Sequence, residues 1–222
     1  AGLNVRYCDA KDRLGLDAGV NAEMQDSVIY VRLEPYRRLL GYKSFNINKD
    51  NYLFLARNNK VSTKIDLIAD DGTGIKIFSE DDDPGMLQDI TMSVNRLDLE
   101  GLSSVMPYMP RIGGQLNGDF HVMIDDGERL SVVSDLNVKG LSYENYAMGN
   151  LGTEMVYLQG EGASHIVEAR LMKDNDEVGL LKGTYYNDDE PAIDAVFEMN
   201  RTPLDLVNGF IPDQLFGFEG YA

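Results

Sequence analysis

The residues that could carry out nucleophilic or metal-assisted chemistry are one cysteine, Cys8, and two histidines, His121 and His165. A cysteine nucleophile needs a neighbouring base, and both histidines stand in the middle of alternating apolar and polar runs. A single thiol also excludes an internal disulfide and a cysteine-based zinc site. We therefore expect no catalytic residue among the three, and we interpret Cys8 as a small, partly buried residue.

Short acidic segments offer a second kind of chemistry, calcium binding or acid–base hydrolysis. They read ADDGTG at 69–74, SEDDDPG at 79–85, DDGE at 125–128, KDNDE at 173–177 and YNDDEP at 186–191. None has the D-x-[DN]-x-[DN]-G spacing of a calcium loop. Nearly every carboxylate falls in a turn or on a polar strand face, which does not suit a hydrolytic pair. We interpret these segments as solvated hairpin turns, and we expect no metal, no cofactor and no enzymatic activity.

The chain carries a strong negative charge. Its 222 residues include 37 Asp and Glu against 20 Lys and Arg, a formal net charge of −17. Such a charge opposes binding to nucleic-acid phosphates or to anionic lipid surfaces, so we expect no nucleic-acid partner. No apolar stretch reaches the roughly 18 to 20 residues of a membrane span. Because the chain begins Ala-Gly-Leu and stops within a strand-like pattern, we expect a segment of a longer protein with any anchor outside it.

Alternation of apolar and polar residues dominates the rest of the sequence. From Leu116 to Asp125 nearly every second residue is apolar, which is the period of a half-buried β-strand. Similar runs, separated by Asp-Gly or Asn-rich turns, recur about a dozen or more times and predict a nearly all-β chain. Their apolar positions are candidates for an apolar groove: Ile90, Met92, Val94, Leu116, Phe120, Val122, Ile124, Leu130, Val132, Leu136, Val138, Ile193, Ala195, Phe197 and Met199.

Three stretches break the alternation and predict short helices. Apolar residues at spacings of three and four mark 96–110 and 201–212, where Asp98 and Thr202 are candidate N-caps. A third candidate spans 35–42. The first two belong to a repeated unit with a period near 102 to 105 residues, consisting of an apolar strand that ends in Asn-Arg, a helix, a proline and a glycine-rich strand start. Such a repeat favours an extended array of stacked units.

Four segments resemble the periplasmic portion of the TamB group of AsmA-like proteins, the inner-membrane subunits of the translocation and assembly module. They are VNRLDLEGLSSVMPYMPRIGGQLNGDF, LNVKGLSYENYAMGNLGTEMVY, EVGLLKGTYY and AIDAVFEMNRTPLDLVNGFIPDQLFGFEGYA. The resemblance divides the chain into a TamB-like repeat region, 89–222, and a β-rich N-terminal segment, 1–88, that we expect to continue the same sheet.

The resemblance implies a fold, a place and a function. The fold is an elongated, curled antiparallel or mixed sheet that forms an open trough (β-taco) with an apolar interior and two or three short helices. The place is the periplasm, with anchoring to the inner membrane by a segment absent from this chain. The function is phospholipid transport in outer-membrane biogenesis, with phospholipid as ligand and a TamA- or BamA-like barrel-assembly partner that parts outside this chain would contact.

Two functions of different classes follow from these patterns. Alternation alone does not distinguish an open trough from a closed β-sandwich, because both need strands with one apolar and one polar face. The first function is a segment that binds or conducts phospholipid acyl chains in an apolar groove. The second is a structural or adhesive closed β-sandwich domain of a cell-surface protein. Ten methionines and no tryptophan favour lipid over glycan as the ligand.

Overall fold

The computed structural model describes residues 1–222 except 27, 57–59, 81–84, 107, 145, 161, 163, 189–190, 205, 207 and 209–218. Fifteen strands and one α-helix are present in this part of the chain. The strands are β1 (Gly2–Cys8), β2 (Leu14–Gln25), β3 (Val28–Leu40), β4 (Lys43–Ser44), β5 (Asn46–Ile47), β6 (Tyr52–Leu55), β7 (Val61–Ile68), β8 (Gly74–Ser79), β9 (Met86–Asp98), β10 (Ile112–Asp125), β11 (Leu130–Tyr143), β12 (Tyr146–Gln159), β13 (Ser164–Lys173), β14 (Asp176–Tyr186) and β15 (Ala192–Met199). The helix, α1 (Leu99–Val105), lies between β9 and β10.

All fifteen strands belong to one sheet. Its order is β1-β2-β3-β6-β7-β8-β9-β10-β11-β12-β13-β14-β15, with β4 paired to β3 and β5 paired to β7. The all-β prediction is confirmed, and the pairing is antiparallel throughout rather than mixed. The sheet is not closed, and the described strands do not form the two facing sheets of a β-sandwich. The boundary between residues 88 and 89 falls inside β9, which pairs with β8.

The helix predicted at 35–42 is wrong, because strand β3 continues through Leu40. Between two paired positions of β2 and β3, residues 34–37 stand opposite Gly19 alone. Pro35 lies in this bulge, where its missing N–H removes no hydrogen bond from the ladder. The proline therefore marks a bulged strand and not the first turn of a helix.

The first predicted helix is confirmed as α1. Asp98 caps its N-terminus, since its carboxylate accepts a hydrogen bond from the backbone N–H of Glu100. The helix ends at Val105, and Met106 follows with extended backbone. Val105 is 1% exposed, so the last turn of the helix is anchored in the protein interior.

Helix α1 touches strands that lie far from its own place in the sheet. It packs on β10 and also contacts β2, which lies five strands from β9 in the sheet order. A flat sheet would hold β2 and β9 about 24 Å apart at the usual strand spacing, whereas seven helical residues are only about 10 Å long. The turn after β3 reaches the helix directly, because a Cβ added to Gly41 would lie 2.9 Å from the carbonyl carbon of Gly101. The sheet therefore bends around α1.

An apolar core fills the space where the sheet bends. Its buried members are Phe45, Ala69, Val94 and Leu97. The half-buried side chains packed against them are Leu40, Leu67, Ile75, Met92, Leu102 and Leu116. Since Leu102 belongs to α1, the helix takes the place of a second layer over this part of the sheet.

The two copies of the predicted repeat share an unusual backbone conformation. Arg96 and Arg201 have φ angles of 51° and 54°, which are uncommon for residues other than glycine. Arg96 lies near the end of β9, shortly before α1, and Arg201 follows the end of β15. The matching angles mark the point in each copy where the strand gives way to the segment that follows.

The second predicted helix differs from α1. Leu204, Leu206 and Asn208 lie in 3₁₀ turns rather than in an α-helix. Val207 and Phe210, on which that prediction also rests, lie outside the described residues. One α-helix therefore replaces the two or three that the sequence predicts, within the part of the chain that the structure describes.

Replacing Gly41 with alanine should destabilise the protein more than replacing Gly140 with alanine. Both glycines have positive φ, 58° and 63°. Alanine in this backbone conformation therefore lowers the free energy of unfolding by about 1–2 kcal/mol in both variants. A Cβ at Gly41 also presses on Gly101 of α1, whereas one at Gly140 meets nothing within 4 Å. We expect Gly41→Ala to lower the free energy of unfolding in urea by about 1–3 kcal/mol more than Gly140→Ala. Equal losses would contradict a tight contact between this turn and α1.

Candidate functional site

The register of the sheet places all fifteen predicted groove residues on one face. Residues directly opposite each other in an antiparallel ladder direct their side chains to the same side. Val122 stands opposite Ile90 on β9 and opposite Val132 on β11. The same row continues through Tyr157, Val167 and Gly183 to Ala195 on β15. We call the side of the sheet that carries the fifteen residues the apolar face.

The apolar face extends through strands β1 to β3 and β6 to β8, from which the sequence-based set named no residue. Val31 on β3 stands opposite Leu53 on β6, and Ile75 on β8 stands opposite Val94 on β9. Further apolar members in these strands are Leu3, Val5, Val20, Ile29, Leu55, Ile65, Leu67 and Ile77. The face therefore crosses the whole described sheet.

Strands β12 to β14 add members that the sequence-based set of groove residues did not include. They are Leu151, Met155, Tyr157, Val167, Ala169, Leu171 and Leu181. In β12, apolar residues occupy both faces, since Val156 and Leu158 alternate with Met155 and Tyr157. Alternation alone could not show which residues of β12 lie on the apolar face, and only the pairing of β12 with β11 shows this. In β13, the period-two run of apolar residues was a usable signal.

The apolar face is only partly covered. Of the fifteen predicted residues, Val94 is buried, the four on β15 are exposed and the other ten are half-buried. Ile193 on β15 is 76% exposed. Among the described strands and helix, β11–β15 make extensive contacts only with their neighbours in the sheet. An exposed apolar surface of this extent is typical of a binding surface.

Two short segments, helix α1 and the segment that begins at Thr202, lie at the same end of the sheet. We call this end the covered end. Val105 of α1 lies against Gly15 at the start of β2. Thr202, at the start of the second segment, donates a hydrogen bond from its hydroxyl to the carbonyl of Val178 at the start of β14. Leu206 in that segment is 7% exposed. The opposite end, which includes the hairpin between β10 and β11, is the open end.

The other face of the sheet is mainly polar, and its polar side chains pair across strands. His121 Nε2 lies 2.6 Å from Asp89 Oδ1, and Arg170 Nη1 lies 3.2 Å from Glu154 Oε2. An exposed ion pair such as Arg170–Glu154 contributes less than about 1 kcal/mol to stability, so its main effect is to keep this face solvated. Exposed apolar side chains on this face include Val133, Val156, Leu158, Ile166 and Val196.

The residues that could do chemistry do not assemble into a catalytic or metal site within the described residues. No group of three or more His, Cys, Asp or Glu among them could hold a metal ion. Cys8 is exposed, so the expectation of a partly buried residue is wrong. The reason is its position at the end of β1, an edge strand with a neighbour on one side only. His165 Nδ1 lies 2.6 Å from the Tyr157 hydroxyl, far along the chain from Cys8.

Carboxylates in the acidic turns accept hydrogen bonds that stabilise these turns. Asp125 accepts hydrogen bonds from the backbone N–H and the guanidinium of Arg129, and both lower the pKa of its carboxyl group. The Lys43 ammonium and the backbone N–H of Thr73 likewise lower the pKa of Asp71. These bonds support the interpretation of the segments as hairpin turns. Residues 81–84 and 189–190, in two other acidic segments, lie outside the described part of the chain.

Comparisons of the chain with protein-family models, with curated proteins and with solved structures found no match. No described helix is long and apolar enough to cross a membrane. The geometry of the described residues therefore defines the class of protein: a single open antiparallel sheet with apolar side chains concentrated on one face.

Cys8 should react with Ellman's reagent in the folded protein. Because the thiol is exposed on an edge strand, burial does not shield it from the reagent. We expect one thiol per chain to react without denaturant, at a rate close to that in concentrated urea. A thiol that reacts only after denaturation would contradict the exposure of the β1 edge.

Proposed function

We propose that this chain is a segment of a TamB-like, periplasm-spanning protein that binds or conducts phospholipid acyl chains along its apolar face. The observation that carries the proposal is the register, which joins apolar side chains of neighbouring strands into one surface. Much of that surface is half-buried rather than packed beneath a second sheet. Apolar surface in water is unfavourable, so a ligand that covers it gains free energy.

In this proposal the sheet curls into an open trough with the apolar face inside. The bend around α1 supports curvature in this sense. Leu102 of α1 packs against the same core as Val94 and Leu116, which are members of the apolar face. The helix therefore lies on the apolar side, and the sheet is concave on that side where it bends around the helix. Continued curvature through β15 would complete the trough.

The free energy for lipid binding comes from desolvation of the acyl chain. Each methylene moved from water to an apolar surface gains about 0.8 kcal/mol, so a chain of ~16 carbons gains on the order of 10 kcal/mol before ordering costs. An open trough would hold the acyl chains while the head group stays in water. Methionines on the apolar face, such as Met92, Met155 and Met199, suit this role because their flexible side chains adapt to varied partners.

The cellular setting in this proposal follows from the resemblance to the TamB group. The segment would act in the periplasm in outer-membrane biogenesis, anchored to the inner membrane through a part outside this chain. A TamA- or BamA-like partner would likewise contact other parts of the protein. The role is one of binding rather than catalysis. The closed β-sandwich of the alternative adhesive function lacks support, because the described strands form a single sheet.

Replacing Val122 with aspartate should sharply reduce the phospholipid that co-purifies with the protein while the protein stays folded. Val122 is half-buried in the middle of the apolar face. A carboxylate there reaches water at modest cost to stability, but it places a charge where an acyl chain would lie. The measurements are the melting temperature and the phosphorus content after organic extraction.

The control is Asp119→Asn, three residues from Val122 on the same strand but on the polar face, which should change neither value. Val122→Thr provides a milder polar change in case the aspartate variant is hard to purify. A folded Val122→Asp protein with undiminished phosphorus would contradict lipid binding at this row. Failure of both Val122 variants to fold would instead indicate a closed core.

A further inference from the structure

A polar aromatic cluster interrupts the apolar face near its open end. His165 on β13 stands opposite Gln159 on β12 and opposite Tyr185 on β14. The imidazole stacks on the Tyr157 ring at a centroid distance of 5.9 Å and lies 5.8 Å from the Tyr185 ring. We call Tyr157, His165 and Tyr185 the rim cluster.

The rim cluster has a hydrogen-bonding group that the described protein does not use. The Tyr157 hydroxyl lies 2.6 Å from His165 Nδ1. When this hydroxyl donates to Nδ1, the imidazole carries its proton on Nε2. No described residue bonds Nε2, and no buried side-chain nitrogen or oxygen of the described residues lacks a partner. Nε2 therefore reaches the surface of the apolar face, and in this tautomer it is a donor there.

The rim cluster lies where the apolar side chains give way to the open end of the sheet. This place would match the boundary between the acyl chains and the head group of a bound lipid. On β13, Val167 and Ala169 continue the apolar face from His165 toward the covered end. Beyond the cluster lies the open end, and Tyr185 is already 38% exposed there. Tyrosine and histidine combine an apolar ring with a polar tip, a composition suited to a boundary between lipid and water.

We infer that the rim cluster binds the phosphodiester of a phospholipid head group while the acyl chains extend along the apolar face toward the covered end. His165 Nε2–H donates to a phosphate oxygen, and a hydrogen bond to a charged acceptor is stronger than a neutral one. A head group without net charge, such as phosphoethanolamine, suits a chain with a net charge of −17. This inference rests on the proposed function.

The two histidines of the chain make a site-specific test possible. His165 lies in the rim cluster, whereas His121 lies on the polar face beside Asp89. The probe is a short-chain phosphatidylethanolamine, added below its micelle-forming concentration and followed through the imidazole resonances of both histidines. We expect the His165 resonances to shift and those of His121 to stay in place.

Matched variants and probes separate the head group from the tails. His165→Phe keeps an aromatic ring and removes both nitrogens. By calorimetry it should weaken phosphatidylethanolamine binding about tenfold, the effect of losing one hydrogen bond to a charged group. It should leave binding of the diacylglycerol with the same acyl chains unchanged. His121→Gln should bind both probes as the wild-type protein does.

The outcomes distinguish this inference from the proposed function. A wild-type protein that binds neither lipid would overturn both. Binding of both lipids without a shift at His165, or wild-type phospholipid affinity in His165→Phe, would overturn the rim cluster alone. If glycerol 3-phosphate binds as tightly as the phospholipid, the cluster is a site for free phosphate and the head-group assignment is wrong.

Discussion

The register between neighbouring strands is the constraint on which the rest of this structure depends. Side chains alternate with a period of two, so a slip of one residue between two strands would move all apolar side chains beyond that point to the polar face. Gly118 shows how the register is fixed: its φ is 135°, and a Cβ there would overlap the carbonyl oxygen of Asp135 on β11. Turn carboxylates such as Asp125 fix the hairpins at the other end of the strands.

A sheet with one layer has no second layer to pack against, so its apolar side chains must be buried in another way. Among the described residues, most buried apolar side chains cluster where α1 and Phe45 fill the bend of the sheet, and Met148, Val178 and Leu206 are buried apart from that cluster. From β10 to β15 the strands pair along most of their length, with a few bulges, but most of the apolar side chains are half-buried or exposed. A ligand that binds this surface in the folded state only would stabilise the protein by mass action. Binding of such a ligand would therefore be linked to folding stability in this half of the chain.

The sequence predicts the features that depend on local chemistry and misses those that depend on pairing. Alternation located the strands, and Asp98 with the spacing of apolar residues located α1. Pro35 was misread because a bulge and the start of a helix share the same local signal, and the difference lies in how β2 pairs with β3. The candidate groove residues share one face as the pattern indicates. The sequence did not identify the members of the apolar face on β12, because that strand is apolar on both sides. His165 and Tyr157 come together only through the pairing of β12 with β13.

From β7 onward, every strand of the main path pairs with its immediate neighbours in sequence. Pairing between strands that are adjacent in sequence closes only a short loop, which favours rapid formation of each hairpin. Because each strand depends mainly on the two beside it, cooperativity is limited in range, as in solenoid proteins. Fraying at β15 need not propagate to β9 and β10, which the core and α1 hold in place. Such a chain is suited to folding progressively, one hairpin after another, and to opening locally at its edge without global unfolding.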